Sequence, residues 1–310
     1  MNPKKILFIK HGSLGDIISA TFVFKCLRKR FNNAKIHLLT SEKYKDFLQK
    51  SNLFDLIITD NRNNNFSNLS LILKVILKKY DIVIDLQNSQ RTMIYCLFFR
   101  IIKNTMWNGT RFGSSIRYYY NTNNPPHIID GLENQIKLLG INCNTEPYLD
   151  WLKSDYKLPD QIKDKPFFII NPGCSKKSIQ KRWAPLYFAE ICQYLFKLNI
   201  VPVIIGSHED TDIVNEILLK TNSVLNLLNL SPLSVIYSLS QKAIGALSND
   251  TGPAHLIAGT GCKIHLILSS FSKISQVTPR GNNVSYTQKE NINDINPQEI
   301  ILALKKILDR

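Results

Sequence analysis

Residues 249–256 read Asn-Asp-Thr-Gly-Pro-Ala-His-Leu and lie where an apolar run gives way to a segment of small helix-forming residues. The apolar run, residues 243–247, has the length of a buried strand, and residues 254–258 continue with helical spacing. Gly252 allows a ligand to approach the backbone closely, and Pro253 suits the first turn of a helix. The turn therefore predicts an anion site at a helix N-terminus. An ordinary turn with Asp250 as N-cap is the alternative.

The same alternation of strand and helix extends over most of the chain. It runs through the first half, breaks in a proline-containing stretch between residues 121 and 166, and restarts at residues 167–170. Alternation of this kind predicts parallel, doubly wound sheets. We predict an α/β protein of two Rossmann-like domains facing a cleft, with residues 1–150 and 166–310 as the domains and residues 151–165 as the linker. The last helix, 297–308, is a candidate to pack back across the first domain.

The composition is that of a folded, water-exposed protein. Of 310 residues, 44% are hydrophobic and 20% are charged, which excludes a disordered chain and a membrane bundle. No apolar run approaches the ~20 residues of a membrane span, and the N-terminus lacks the pattern of a secretory signal. The six cysteines show no metal-ligand spacing, so we predict reduced and mostly buried thiols in a cytosolic protein.

The net charge of +15 is unevenly distributed. Residues 1–150 contain 21 Lys and Arg against 11 Asp and Glu, a net +10, and residues 151–310 contain 18 against 13, a net +5. This bias suggests an anionic partner for the first half, either nucleic acid or an acidic membrane surface. A solvated, lysine-rich surface is the alternative.

The loop after the first strand, residues 10–16, reads Lys-His-Gly-Ser-Leu-Gly-Asp. Its glycines are three apart, which is not the spacing of a dinucleotide-binding loop and disfavours a nicotinamide dehydrogenase. Asp16 falls at a helix N-terminus, where a carboxylate can take a proton from a hydroxyl nucleophile. It could instead only complement the helix dipole.

Two strand-end loops of the second half also carry polar groups. Residues 171–183 place hydroxyls and four cations ahead of Trp183, as a diphosphate leaving group requires. Residues 206–210 predict either a helix cap or, through Glu209, a ribose ligand. Asp210-Thr-Asp212 matches an Asp-x-Asp metal motif only superficially, because it falls in the first turn of a helix. We predict neither a metal nor a cofactor.

Taken in order, three of these motifs resemble those of glycosyltransferase family nine, the heptosyltransferases of lipopolysaccharide core synthesis. They are Gly12-x-x-Gly15-Asp16, Pro172-Gly173 with Lys181-x-Trp183, and Asp250-Thr-Gly-Pro-x-His255. The resemblance spans most of the chain. It implies a GT-B fold and metal-independent, inverting transfer of heptose from ADP-heptose to a sugar on lipid A.

The resemblance also implies site residues. The family's general base falls on Asp16, and its pyrophosphate ligands fall on Ser175, Lys181, Thr251 and Gly252. Asp250 and His255 would lie at the donor sugar or support its loop. We add Glu209 to the donor side and assign four residues to the acceptor side: Gly12, Ser13, Gly15 and Arg91.

The expected partners are ADP-heptose and an anionic, lipid A-linked acceptor at the inner membrane surface, with no nucleic acid. The expected location is cytoplasmic and peripheral to the inner membrane. The alternatives are a family member using another nucleotide sugar, a sugar-nucleotide epimerase, or a non-catalytic protein that binds a nucleotide sugar or nucleic acid.

Overall fold

The computed structural model describes residues 3–61, 65–103 and 105–308. The chain divides into two compact units, Met1–Trp151 and Leu152–Arg310. Each unit contains a six-stranded sheet in which all of the paired strands run parallel.

The sheet of the first unit has the order β3-β2-β1-β4-β5-β6. Its central strand is buried from Ile6 to Ile9 because helices cover both faces, which gives a continuous apolar run instead of an alternating one. The strands are β1 (Lys5–Ile9), β2 (Lys35–Thr40), β3 (Leu56–Thr59), β4 (Ile82–Asp85), β5 (Met106–Gly109) and β6 (Ile116–Arg117).

Alternate residues of β1 belong to two separate cores. Ile6 and Phe8 pack into a cluster that includes residues of the helices 14–30 and 128–137, whereas Leu7 and Ile9 pack with residues of the helices 65–76 and 90–103. This is the period-2 alternation of a strand with two covered faces. The helices are α1 (Leu14–Arg30), α2 (Lys45–Gln49), α3 (Asn65–Ile76), α4 (Gln90–Lys103) and α5 (Ile128–Lys137).

The sheet of the second unit has the order β12-β11-β10-β7-β8-β9. Its strands are β7 (Phe167–Asn171), β8 (Val201–Gly206), β9 (Leu225–Leu228), β10 (Gly245–Asn249), β11 (Ile264–Ser269) and β12 (Val284–Lys289). The helices of this unit are α6 (Asp160–Lys163), α7 (Pro185–Lys197), α8 (Thr211–Leu218), α9 (Leu233–Ser240), α10 (Gly252–Gly259), α11 (Ile274–Val277) and α12 (Pro297–Leu308). One core packs residues of α7, α8 and α12 against Phe168 and Ile170 of β7. The last helix, for which we considered a position across the first domain, contacts α7 and β11 of its own unit.

The strand orders define where ligands are expected. In the first unit the order reverses between β1 and β4, and in the second it reverses between β7 and β10. Loops at the carboxyl ends of such neighbouring strands open a crevice that is the usual ligand site of doubly wound sheets. Asp16 follows β1, while Lys181 and Asp250 follow β7 and β10.

The predicted α/β, doubly wound fold is confirmed, and the prediction that all six cysteines are reduced is wrong. Cys26 and Cys143 form a disulfide across 117 positions of sequence, with their Cα atoms 5.9 Å apart. Cys26 lies on α1 and Cys143 follows α5, and these two helices pack together. The other four cysteines are free and buried. In the described ranges, no helix combines the length and the apolar character needed to cross a bilayer.

Candidate functional site

Asp16 lies in the first turn of α1 and caps that helix. Its Oδ2 accepts hydrogen bonds from the Ser13 amide at 2.7 Å and from the Ser13 hydroxyl at 3.2 Å. This is half of a capping box, which satisfies a backbone N–H that a helix leaves unpaired. The cap fixes the orientation of the carboxylate at the end of β1.

Gly12 requires glycine for two reasons. Its φ of +115° lies in a region that side chains with a Cβ rarely adopt, and an added Cβ would overlap the ring of Tyr44. Tyr44 is itself buried, at 7% exposure, so the ring has little room to yield. The loop backbone is therefore held by packing just before Asp16.

Asp16 lines a cavity of about 220 Å³ at the carboxyl ends of β1, β4 and β5. The lining combines polar and apolar side chains, which suits a ligand such as a sugar. Its other residues include Lys10, Gln87, Asn88, Thr110, Tyr118, Tyr120, Pro126 and Ile128.

Lys10 is a site residue that the sequence analysis did not assign. Its side chain is 3% exposed, and its Nζ donates to the Leu86 carbonyl at 3.1 Å. Burial lowers the pKa of the Lys10 ammonium below its ordinary value, and the carboxylates of Asp16 and Asp85 partly oppose that shift. The available signal was a lysine that directly follows a buried strand and precedes a glycine-containing loop.

A buried amide network supports the cavity wall. The Gln135 side chain donates to the Asp85 carbonyl at 2.9 Å and to Asn108 Oδ1 at 3.0 Å, and it accepts from Asn88 at 2.8 Å. Asn88 Oδ1 in turn accepts the Thr110 amide at 2.7 Å. The network ties the ends of β4 and β5 to α5, and no local sequence pattern indicates it.

Arg91, predicted on the acceptor side, forms an ion pair with Asp60. Its Nη2 lies 2.7 Å from Asp60 Oδ1, and its Nε donates to Oδ2 at 3.0 Å. Burial alone would raise the pKa of Asp60, but hydrogen bonds from Tyr95 and Arg91, together with the His11 ring 3.4 Å away, lower it well below the ordinary value. Arg91 therefore has a structural role, and its role toward an acceptor stays a prediction.

In the second unit, Lys181 and Asp250 meet at the point where the strand order reverses. Lys181 Nζ lies 2.6 Å from Asp250 Oδ2, and the two side chains are 21% and 7% exposed. Lys181 ends the short 3-10 helix Lys176–Lys181 that follows β7, and Asp250 directly follows β10. The cation thus lies beside the loop that leads into α10.

Asn249 and Trp183 hold these two loops in place. The Asn249 side chain donates to the Pro172 carbonyl at 2.8 Å and accepts the Trp183 amide at 3.4 Å. Trp183 is fully buried, and its indole donates to the Ile295 carbonyl at 2.8 Å. Trp183 therefore anchors this loop in the core of the second unit.

The N-cap of α10 is Thr251, and the helix begins at Gly252. The alternative that made Asp250 the N-cap is therefore wrong by one residue. The Asp250 carboxylate pairs with Lys181. Pro253 lies in the first turn, where its missing N–H costs no hydrogen bond. His255 is the fourth residue of α10 and is half-buried.

The remaining donor-side predictions lie on exposed loops. Ser175 is exposed before the 3-10 helix, and Glu209 is exposed in the 3-10 helix His208–Asp210. Asp210 accepts the Ser207 amide at 2.9 Å, so the helix-cap interpretation of this loop is confirmed. An added Cβ at Gly173 would lie 2.5 Å from Asp210 Oδ1, so the two loops approach each other at that glycine.

With this geometry in view, the comparisons with known proteins identify the family. The sequence profile of glycosyltransferase family 9 (heptosyltransferase) matches residues 69–264, which is more than half of the chain. The chain belongs to glycosyltransferase family 9. It is a glycosyltransferase, and the resemblance that the three motifs indicated is confirmed. A search of curated proteins finds no significant match.

Solved structures of this family share the fold. The glycosyl transferase family 9 protein of Veillonella parvula is 19% identical, with a TM-score of 0.80 over 98% of this chain and 97% of that one. The ADP-heptose LPS heptosyltransferase II of E. coli is 18% identical, with a TM-score of 0.76 over 98% of each chain. The E. coli heptosyltransferase WaaC, solved with ADP-2-deoxy-2-fluoro heptose, is 14% identical, with a TM-score of 0.75 over 97% of this chain and 99% of that one. At these identities the likeness shows a GT-B-like fold.

Proposed function

We propose that this glycosyltransferase transfers heptose from ADP-heptose to a lipid A-linked sugar of the lipopolysaccharide inner core, inverting the anomeric configuration without a metal. The support is membership of family 9 together with the three motif loops at the two points where strand order reverses. We further propose that it acts at the cytoplasmic face of the inner membrane, as a peripheral protein with a basic first unit.

The observation that carries this proposal is the position of Asp16 in a cavity of mixed polar and apolar lining at the end of β1. There the carboxylate takes a proton from an acceptor hydroxyl, and the oxygen attacks the anomeric carbon from the face opposite ADP. The Ser13 amide orients the carboxylate, and Gly12 sets the loop that carries it. Lys10 places a second polar group in the same cavity, where it can bind an acceptor oxygen.

On the donor side, Lys181 and the first amides of α10 stabilise the charge that develops on the leaving ADP. Thr251 and Gly252 start that helix, and Asp250 holds the Lys181 ammonium beside it. Ser175, Glu209 and His255 complete the proposed donor contacts. A lysine and a helix N-terminus meet the diphosphate charge without a divalent ion.

The test is release of ADP from ADP-heptose by the purified protein with a chelator present, with and without an inner-core lipid A acceptor. We expect acceptor-dependent release that falls by roughly 100-fold or more in Asp16→Asn. The matched control is Asp212→Asn, which alters an exposed first-turn carboxylate of α8.

Each other outcome identifies an alternative. Release from a different nucleotide sugar would leave the enzyme class intact and replace the donor. Conversion of a nucleotide sugar without any acceptor would indicate an epimerase. Binding of ADP-heptose with no turnover would indicate a non-catalytic binding protein.

A further inference from the structure

A second concave surface of the first unit is formed by the C-terminal half of α4 and the segment that follows β5. It is a groove of about 470 Å³, and we call it the α4 groove. The residues used below are Leu97, Arg100, Ile101, Phe112, Arg117 and Tyr119, all of which line it.

The α4 groove exposes large apolar side chains together. Ile101 is 82% exposed, Tyr119 is 72% exposed and Phe112 is 68% exposed. Single exposed apolar residues are common, but several around one groove indicate an interaction surface. These exposed side chains are not part of the hydrophobic core. The face of α4 that packs into the core carries other residues, Cys96 and Phe99, which are buried.

The surface is held in a fixed shape. Gly113 has a φ of +91°, and an added Cβ there would lie 3.2 Å from Leu97, so the loop packs directly on α4. Arg100 donates to the Gly113 carbonyl at 2.8 Å, and Arg117 donates to the Thr110 carbonyl at 2.9 Å. The guanidinium of Arg117 also lies 4.6 Å from the ring centroid of Tyr119. The apolar tips are therefore presented by an ordered frame.

The charge around the groove has one sign. Residues 86–129 contain no Asp or Glu, and they contain five Lys and Arg residues. Four of these lie on α4 or in the 111–117 segment without a carboxylate nearby in sequence: Arg100, Lys103, Arg111 and Arg117. The fifth, Arg91, pairs with Asp60.

We propose that the α4 groove docks the enzyme on an anionic lipid bilayer. Aromatic and branched side chains beside arginines are the composition of surfaces that bury a few apolar tips at the level of the lipid headgroups. Basic residues without competing carboxylates are drawn to the negative potential of that surface. If the α4 groove instead packed against the same groove of a second copy of this chain, cations would face cations. Repulsion between these like charges disfavours such a dimer contact.

The groove is also next to the Asp16 cavity. Along one segment, Phe112, Arg117 and Tyr119 line the groove while Thr110, Tyr118 and Tyr120 line the cavity. In this respect the inference rests on the proposed function, because a bilayer at the groove brings the sugar of a lipid-linked acceptor to the cavity. The segment 110–120 thus joins membrane docking to acceptor binding.

The test is co-sedimentation of the full chain with vesicles of phosphatidylcholine alone and of phosphatidylcholine with phosphatidylglycerol. We expect binding to the anionic vesicles that falls with added salt and weakens on the order of 10-fold in Arg100→Gln/Ile101→Ser. The matched control is Lys220→Gln/Leu219→Ser, an exposed basic and apolar pair on the second unit in which Leu219 is also 82% exposed. The control is expected to bind like the unaltered protein.

Three results would overturn the proposal: equal binding to both vesicle types, equal losses in the groove and control variants, or dissociation of an oligomer by the groove variant in sedimentation velocity. Transfer assays separate this inference from the proposed function. The groove variant is expected to keep transfer to a delipidated, water-soluble acceptor and to lose transfer to acceptor in vesicles. Absence of transfer by the unaltered protein would count against the proposed function and leave the vesicle result to decide the docking surface.

Discussion

Lys181 Nζ lies 2.6 Å from Asp250 Oδ2, so two predicted donor ligands that are 69 positions apart in sequence form one ion pair. The pair joins the loops after β7 and β10, which are neighbouring strands of the sheet. Since both side chains are largely buried, each carries a structural role as well as a proposed chemical one.

Lys181→Met is expected to lower both activity and stability. It leaves the Asp250 carboxylate without its cation, at a cost of about 1–3 kcal/mol in the free energy of unfolding. It also removes a proposed contact to the leaving group, which should reduce turnover by roughly 100-fold. Denaturant unfolding and ADP release measure the two effects separately.

The double variant Lys181→Met/Asp250→Asn distinguishes these roles. It removes both charges, so the stability lost in the single variant should be largely recovered, while turnover stays low. Recovery of turnover together with stability would show that Lys181 acts only by pairing with Asp250.

Gly12→Ala is expected to destabilise the first unit more than Gly140→Ala does. Both glycines have positive φ, +115° and +73°, so both substitutions force an alanine into an unfavourable backbone region, at a cost of about 1–2 kcal/mol. Only at Gly12 does the new Cβ also meet Tyr44, which should add about 1–3 kcal/mol. Equal midpoints of denaturant unfolding in the two variants would show that the Tyr44 ring moves aside.

The sequence predicted most of the fold because the strands of doubly wound sheets are continuous apolar runs. It missed β5, β6 and β12, and the two-residue β6 (Ile116–Arg117) is too short for any pattern to appear. In β12 the exposed face gives weak alternation, and the strand is placed by its pairing with β11. These elements depend on neighbours distant in sequence.

The proposed site could be assigned from sequence where one loop holds the whole motif, as in Gly12 to Asp16, and its role stays a prediction. The ion pairs Asp60–Arg91 and Lys181–Asp250 were not predictable from sequence. In each pair the two residues come from segments that are far apart along the chain. Lys10 was missed for another reason, since a lysine next to a strand is ordinarily exposed. Only the fold shows that its ammonium lies in the cavity.

The Cys26–Cys143 disulfide is expected to stabilise the first unit. It closes a loop of 117 positions, and removal of such a cross-link costs about 2–5 kcal/mol. A thiol reductant should therefore lower the denaturation midpoint of the unaltered protein, and non-reducing peptide mass spectrometry should recover the linked peptides. In Cys26→Ala/Cys143→Ala the reductant should have no effect. A reductant effect that persists in this variant would place the cross-link elsewhere.

His265 predicts how the stability of the β11–β12 region changes with pH. Its ring is 3% exposed and bridges the Ser285 and Thr287 hydroxyls at 2.8 and 2.9 Å, and burial lowers its pKa from 6.5 to about 4. Between these values the unfolded chain binds the proton and the folded one does not. Stability is therefore fully present above pH 6.5 and is lost as the pH falls toward 4, by up to about 3 kcal/mol.

Hydrogen exchange of β11 and β12 amides should show this slope, and His265→Gln should flatten it. Peptides around His37, whose pKa burial also lowers to about 4, should keep their slope. An unchanged β11–β12 slope in His265→Gln would assign the titration to another group.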